Sequence, residues 1–174
     1  EIKKFKPKPE RPKGGESFVI CVADLQLGKK DGDGTLGTIQ AFQQSVANIK
    51  QRVEGLRKIG RELGTLYVVG MGDLIESCSD NYAQQLFTVE LNLRDQLKVA
   101  RRLIRDAIAE LASMFDTVVV SAVPGNHGEA SRRGGKNVTD DADNHDVALF
   151  EVLAEVFAAN PAFDHVRFFL PNDE

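Results

Sequence analysis

Tryptophan is absent, and the 174 residues hold only three histidines and two cysteines. Two cysteines are too few for the disulfide framework of a small secreted domain, which points to a reducing, cytoplasmic setting. Cys21 falls inside an apolar run and is expected in the core; Cys78 follows a Gly-Asp turn and is expected to be a small loop residue. No apolar run approaches the roughly 20 residues that a membrane span needs, so no membrane partner is expected. Glu1 to Glu16 contain no apolar stretch and are not read as a secretory signal. Neither G-x-x-x-x-G-K-[ST] nor G-x-S-x-G occurs, so the sequence offers no P-loop and no nucleophile elbow. Gly32 to Gly37 spell G-x-G-x-x-G, but Asp24 to Asp31 separate them from the preceding strand, where a dinucleotide fingerprint must follow directly. Asp31-Gly32-Asp33-Gly34 lacks the remaining ligands of a calcium loop.

What is present is a soluble composition with an uneven charge. The net charge is −4, but the first 16 residues hold six Lys and Arg against three Glu, which leaves sixteen basic and twenty-three acidic residues in the rest. With Pro7, Pro9 and Pro12, residues 1–16 read as a basic, Pro-rich linker or arm. Residues 17–174 read as one domain, long enough to bury a core. The first residue is Glu, and the chain is read as a piece of a longer protein.

From Ser17 the pattern alternates. Ser17 to Ala23 is an unbroken apolar run, as expected of a strand covered on both faces. Ile39, Phe42, Val46, Ile49, Val53 and Leu56 recur three and four apart and predict a helix over 38–63. Thr65 to Val69 is a second strand. A long helix is predicted over 82–114, with Leu86, Val89, Leu93, Leu97, Ala100, Ile104, Ile108 and Leu111 inward. Thr117 to Val123 is a third strand. A helix over 143–159 turns Val147, Phe150, Leu153, Val156 and Phe157 inward, and Val166 to Leu170 is a fourth strand. This alternation predicts an α/β fold, a mostly parallel sheet with helices on both faces.

Each of the first three strands runs into a glycine-flanked polar cluster: Asp24-Leu25-Gln26-Leu27-Gly28, Gly72-Asp73-Leu74-Ile75-Glu76 and Gly125-Asn126-His127-Gly128-Glu129. In a parallel sheet these loops leave at one edge, the carboxyl ends of the strands, where such sheets bind ligands. Asp24, Asp73, Asn126 and His127 are thereby expected in one region. Carboxylate, amide and imidazole groups without thiolate suit Mn²⁺, Mg²⁺, Fe²⁺ or Zn²⁺. Two carboxylates brought together also favour a cation between them.

These blocks resemble the calcineurin-like metallophosphoesterases, whose D-x-H, G-D-x-x-[DE] and G-N-H-[DE] each follow a strand. The resemblance spans about Phe18 to Leu170. It departs from the family pattern at Gln26, which stands where the family has His, and at Gly128, which stands before the acidic Glu129. The later G-H-x-H of the family is not found, so the domain is expected to be truncated at its C-terminus, the metallophosphoesterase-like half of an α/β sandwich. His145 and His165 are read as structural or surface residues.

The resemblance implies a dinuclear, metal-dependent hydrolase of phosphate esters, with two divalent ions, Mn²⁺ first among them. Asp24 would bind the first metal, Asp73 would bridge both, and Asn126 would bind the second. Gln26 would be a weak neutral ligand or would hold a water. His127 would act on the phosphate or the leaving oxygen. The segment Asp24 to Lys29 is similar to the DNA-repair nuclease branch of the family. Lys29, Arg132 and Arg133 are then expected to grip phosphates of a DNA substrate. The alternatives are a small-molecule phosphatase or phosphodiesterase, and a catalytically incomplete domain that keeps the fold.

Overall fold

A computed structural model describes residues 15–78, 82–133, 136–140 and 142–170. Most of the expected arm, residues 1–14, lies outside the described residues. The elements run β1 (Glu16–Val22), α1 (Gly34–Lys58), β2 (Leu63–Gly70), α2 (Gln85–Thr88), α3 (Leu93–Ala112), β3 (Thr117–Ala122), β4 (Arg132–Arg133), β5 (Lys136–Asn137), α4 (His145–Ala158), a 3₁₀ turn (Pro161–Phe163) and β6 (Val166–Phe169). The main sheet has the order β1-β2-β3-β6, and every pair in it is parallel. β4 and β5 form a separate two-residue antiparallel pair. The α/β class and the parallel sheet are those expected from the alternation of patterns.

The register puts Val22, Gly70 and Ala122 side by side, with Ile20, Val68, Val120 and Phe168 one step below. This face carries the core. Ile20, Val22, Phe42, Val46, Ile104 and Ile108 line an apolar cleft of about 180 Å³ in which β1, α1 and α3 meet. α4 lies over the same face further along: the Phe150 ring fills the space where a Cβ on Gly70 would stand. Phe157 packs 5.8 Å from the Phe168 ring and 4.9 Å from Phe163. Fully buried Phe115, Phe150, Ile104 and Ile108 each contribute about 2 kcal/mol by leaving water.

The expectation of helices on both faces is corrected here. α1, α3 and α4 gather on one face, and among the described residues the other is left open. Val19 and Phe169 are each 58% exposed there, and Tyr67 39%. Cys21, expected in the core, also lies on this open face. The cause is visible in β1: its outward residues Val19 and Cys21 are as apolar as its inward ones, so an alternately covered strand reads as a continuous run.

The long helix expected over 82–114 is two helices. Val89 is extended and pairs with Lys29, and Asn92 caps α3 by accepting a hydrogen bond from the Asp95 amide. Leu86, expected inward, is consequently 60% exposed. On α4, Val156 is also exposed, one position off the stripe of Val147, Phe150, Leu153 and Phe157. α1 starts four residues earlier than expected, because the Glu90 carboxylate accepts the Thr35 amide at 2.5 Å and caps the helix from across the fold. It ends at Lys58, where Gly60 turns the chain and Arg57 reaches the Leu63 and Met114 carbonyls.

Candidate active site

The loops after β1, β2 and β3 meet at the carboxyl edge of the sheet. The first two are zipped by their backbones: Asp24 N donates to Gly72 O, Gln26 N to Asp73 O and Leu27 N to Leu74 O. The third is joined to the second by the His127 amide, which donates to Asp73 Oδ1 at 2.9 Å. Three sequence-predicted residues, Asp24 (φ 51°), Gln26 (φ 40°) and Asp73 (φ 54°), occupy the left-handed region, as does Ser77 (φ 69°). That conformation costs about 1–2 kcal/mol for a residue with a Cβ and persists only where the surroundings impose it.

Two glycines explain how the loops come so close. Gly72 has φ 83°, and a Cβ there would stand 2.6 Å from Gly125 Cα. A Cβ on Gly125 would overlap the Asp73 amide nitrogen and Oδ1 and stand 2.7 Å from Asp146 Oδ2.

Each expected site residue can now be placed. Asp24 and Asn126 are exposed on their loops, and Gln26 and Asp73 are half-buried. Gln26 Oε1 accepts from Lys29 Nζ at 3.2 Å. Lys29 also pairs with Asp31 at 3.2 Å, a contact that raises its pKa above the ordinary lysine value. Arg132 pairs with Glu129 at 2.6 Å. Arg133 lies in β4, and its side chain is outside the described residues.

The His127 side chain is only 12% exposed. Its Nδ1 lies 3.0 Å from the Glu76 carbonyl oxygen. A carbonyl can only accept, so Nδ1 carries the proton and Nε2 is left as the ring's remaining polar atom. Glu76 is fully buried, with Oε2 at 3.5 Å from the same Nδ1. Its Oε1 accepts from the Tyr82 hydroxyl at 2.5 Å. Burial, then the bond to Glu76, raises the Tyr82 pKa.

Four buried polar residues that the sequence reading passed over hold these loops. Gln96 accepts from Ser77 N at 2.7 Å and donates to Leu91 O at 2.8 Å. Gln85 donates to Glu76 O at 2.6 Å. Asn144 accepts from Asp146 N at 2.9 Å and donates to Gly125 O at 2.8 Å. Asp146 accepts from Asp73 N at 2.8 Å and from Leu74 N at 3.1 Å. Burial pushes the Asp146 carboxyl up to about 6; the bonds from Leu74 and Asp73 oppose the rise, and the Asp73 charge adds to it. A signal existed for Gln96, a polar residue between Leu93 and Leu97 on an apolar stripe. Asn144-His145-Asp146 is a helix-start pattern that also carries these bonds.

His145 and His165 hold local positions, as expected. His145 donates its amide to Gly128 O, and burial lowers its side-chain pKa. His165 Nε2 lies 3.0 Å from Ala112 O.

The chemistry of this donor set is that of hard oxygen. Asp24 and Asp73 supply carboxylates, and Gln26 and Asn126 supply amide oxygens, on loops that share one edge. Among the described residues, no three His, Cys, Asp or Glu side chains form a group that could hold a metal ion. Carboxylate and amide oxygens of this kind suit a hard divalent cation rather than a thiolate-seeking one. Comparison with known protein families, curated proteins and solved structures finds no match.

Proposed function

We propose that this chain is a divalent-metal-dependent hydrolase of phosphate esters, acting as a phosphodiesterase or nuclease on DNA. The observation that carries the reading is the convergence at Asp73: its backbone holds the first loop, its carboxylate the third, and its conformation is strained. Strain of this kind, at a strand end and beside a buried histidine, is where α/β enzymes keep their chemistry.

In this reading Asp24, Asp73 and Asn126, helped by Gln26, would hold two divalent ions, with Mn²⁺ the first candidate. A bound divalent ion polarises a phosphoryl oxygen and acidifies a bound water. The chain's own part is orientation and proton handling. The Glu76 carbonyl fixes the His127 ring through Nδ1. Nε2 is then the ring atom through which a proton would pass to or from the reacting oxygens. The Tyr82 hydroxyl donates to Glu76 Oε1, the carboxylate oxygen not facing His127 Nδ1. A cytoplasmic setting belongs to the same proposal; among the described residues no helix is long and apolar enough to cross a membrane.

Support for DNA comes from the Asp24 to Lys29 segment. A second reading, a small-molecule phosphoesterase, is favoured by one observation: Lys29 and Arg132 are each already paired to a carboxylate. One assay series separates them. With Mn²⁺ added, the chain is offered bis-p-nitrophenyl phosphate and single- and double-stranded DNA. Cleavage of DNA supports the first reading, and turnover of the small ester alone supports the second. Silence on all three, or full activity in Asp73→Asn, would overturn the proposal.

A further inference from the structure

We propose that Asp146, on the first turn of α4, is a positioning residue that sets the conformation of Asp73. The geometry is that of a two-pronged cradle. Oδ2 accepts the Asp73 amide at 2.8 Å and Oδ1 accepts the Leu74 amide at 3.1 Å. Two successive amides bound by one carboxylate fix the peptide between them, and with it the left-handed turn at Asp73 (φ 54°).

The carboxylate is held in turn. Its own amide donates to Asn144 Oδ1, and Asn144 Nδ2 donates to Gly125 O. A three-residue segment thus pins the second and third loops to the end of one helix. Asp146 is 1% exposed and Asn144 4%.

A helix-cap role does not account for this residue. Asn144 already caps α4 with its own side chain. A buried carboxylate carries a desolvation cost that a small neutral residue at the same site would avoid. What the carboxylate supplies is acceptance by both of its oxygens at once, aimed at Asp73, which bonds to the first and the third loop, and at its neighbour Leu74. The metal half of this role rests on the proposed function: a cation at Asp73 relieves the repulsion between the two neighbouring carboxylates, so Asp146 sets both the shape and the occupancy of the site. Partners of this outer kind typically change metal affinity about 10–100-fold when removed.

The test uses the full chain, ¹⁵N-labelled, as wild type and Asp146→Asn, with and without Mn²⁺. The amides of Asp73 and Leu74 must shift in the variant, because a carboxamide leaves at most one of them an acceptor. The discriminating resonance is the His127 amide, which touches Asp73 Oδ1 and not Asp146. Positioning predicts that it moves and loses protection against exchange, while amides in α3 and β3 do not. It also predicts Mn²⁺ binding weakened about 10–100-fold. An unmoved His127 amide with unchanged Mn²⁺ affinity overturns the inference, even if the variant is less stable. If wild type binds no Mn²⁺, the metal reading fails, and the His127 amide still decides the positioning role. If Asp146→Asn does not fold, Asp146→Ser, which leaves the Asn144 bond to Gly125 in place, is read by the same amide: a displaced His127 resonance supports the inference and an unmoved one refutes it.

Discussion

Asp146 makes stability depend on pH in a direction opposite to that of most carboxylates. Its ordinary value is 3.8, and burial pushes it up to about 6 in the fold. Between those values the folded chain holds a proton that the unfolded chain has released. Stability is therefore highest below about pH 4 as far as this group is concerned, and is lost as pH rises through 6. The interval corresponds to about 3 kcal/mol, at about 1.4 kcal/mol per pH unit. Asp146→Asn removes the titration and keeps the size. Urea unfolding of both proteins at pH 4, 5, 6 and 7, with chelator present, gives the difference in stability at each pH. Other groups that titrate here, His145 among them, are common to both proteins and drop out of that difference. Wild type should lose about 2 kcal/mol relative to the variant between pH 4 and pH 7, the rest of the interval lying below pH 4. A difference that stays level, or grows in favour of wild type with rising pH, would refute the argument that this carboxylate is ionised at a cost.

Gly125→Ala should be far more damaging than a surface alanine. Its Cβ would meet the Asp73 amide and Asp146 Oδ2, which cannot both retreat, so a loss of about 1–3 kcal/mol is expected by thermal unfolding, and the proposed Mn²⁺ binding should weaken with it. Full stability and binding in that variant would contradict the loop packing. Cys21 is exposed on the open sheet face and Cys78 is half-buried, with its sulfur 4.0 Å from Leu91 O. Titration of the native chain with a thiol-reactive disulfide should label Cys21 first. Equal or reversed rates, read by mass spectrometry, would show that the outer face is covered.

The sheet was legible because its signal is redundant. Four apolar runs separated by helical stripes leave few alternatives to a parallel α/β arrangement, and the stripes of α1 and α3 pack as their spacing requires. The three loops were legible because glycines mark them and polar residues fill them. The faces of the sheet were not, since an apolar residue reads the same whether or not another layer covers it. The break between α2 and α3 was hidden by Leu86 and Val89, which continue the stripe in sequence while the backbone leaves the helix. The supports of the site were hidden for a related reason. Gln85, Gln96, Asn144 and Asp146 act through hydrogen bonds to backbone groups far away in the chain, and no local spacing records such a partner. Lys29 and Arg132 each also pair with a nearby acid, Asp31 and Glu129, and charge alone does not reveal such a partner.

The capping of α1 by Glu90 makes the first loop a tethered segment. Lys30 N donates to Thr88 O, Glu90 N to Gly28 O, and the Glu90 carboxylate closes on Thr35. The strip from Gly28 to Thr35 is thereby sewn along its length to the stretch between α2 and α3. It is not free to swing as an independent flap, since a displacement of residues 88–90 pulls on Gly28, Lys30 and Thr35 together.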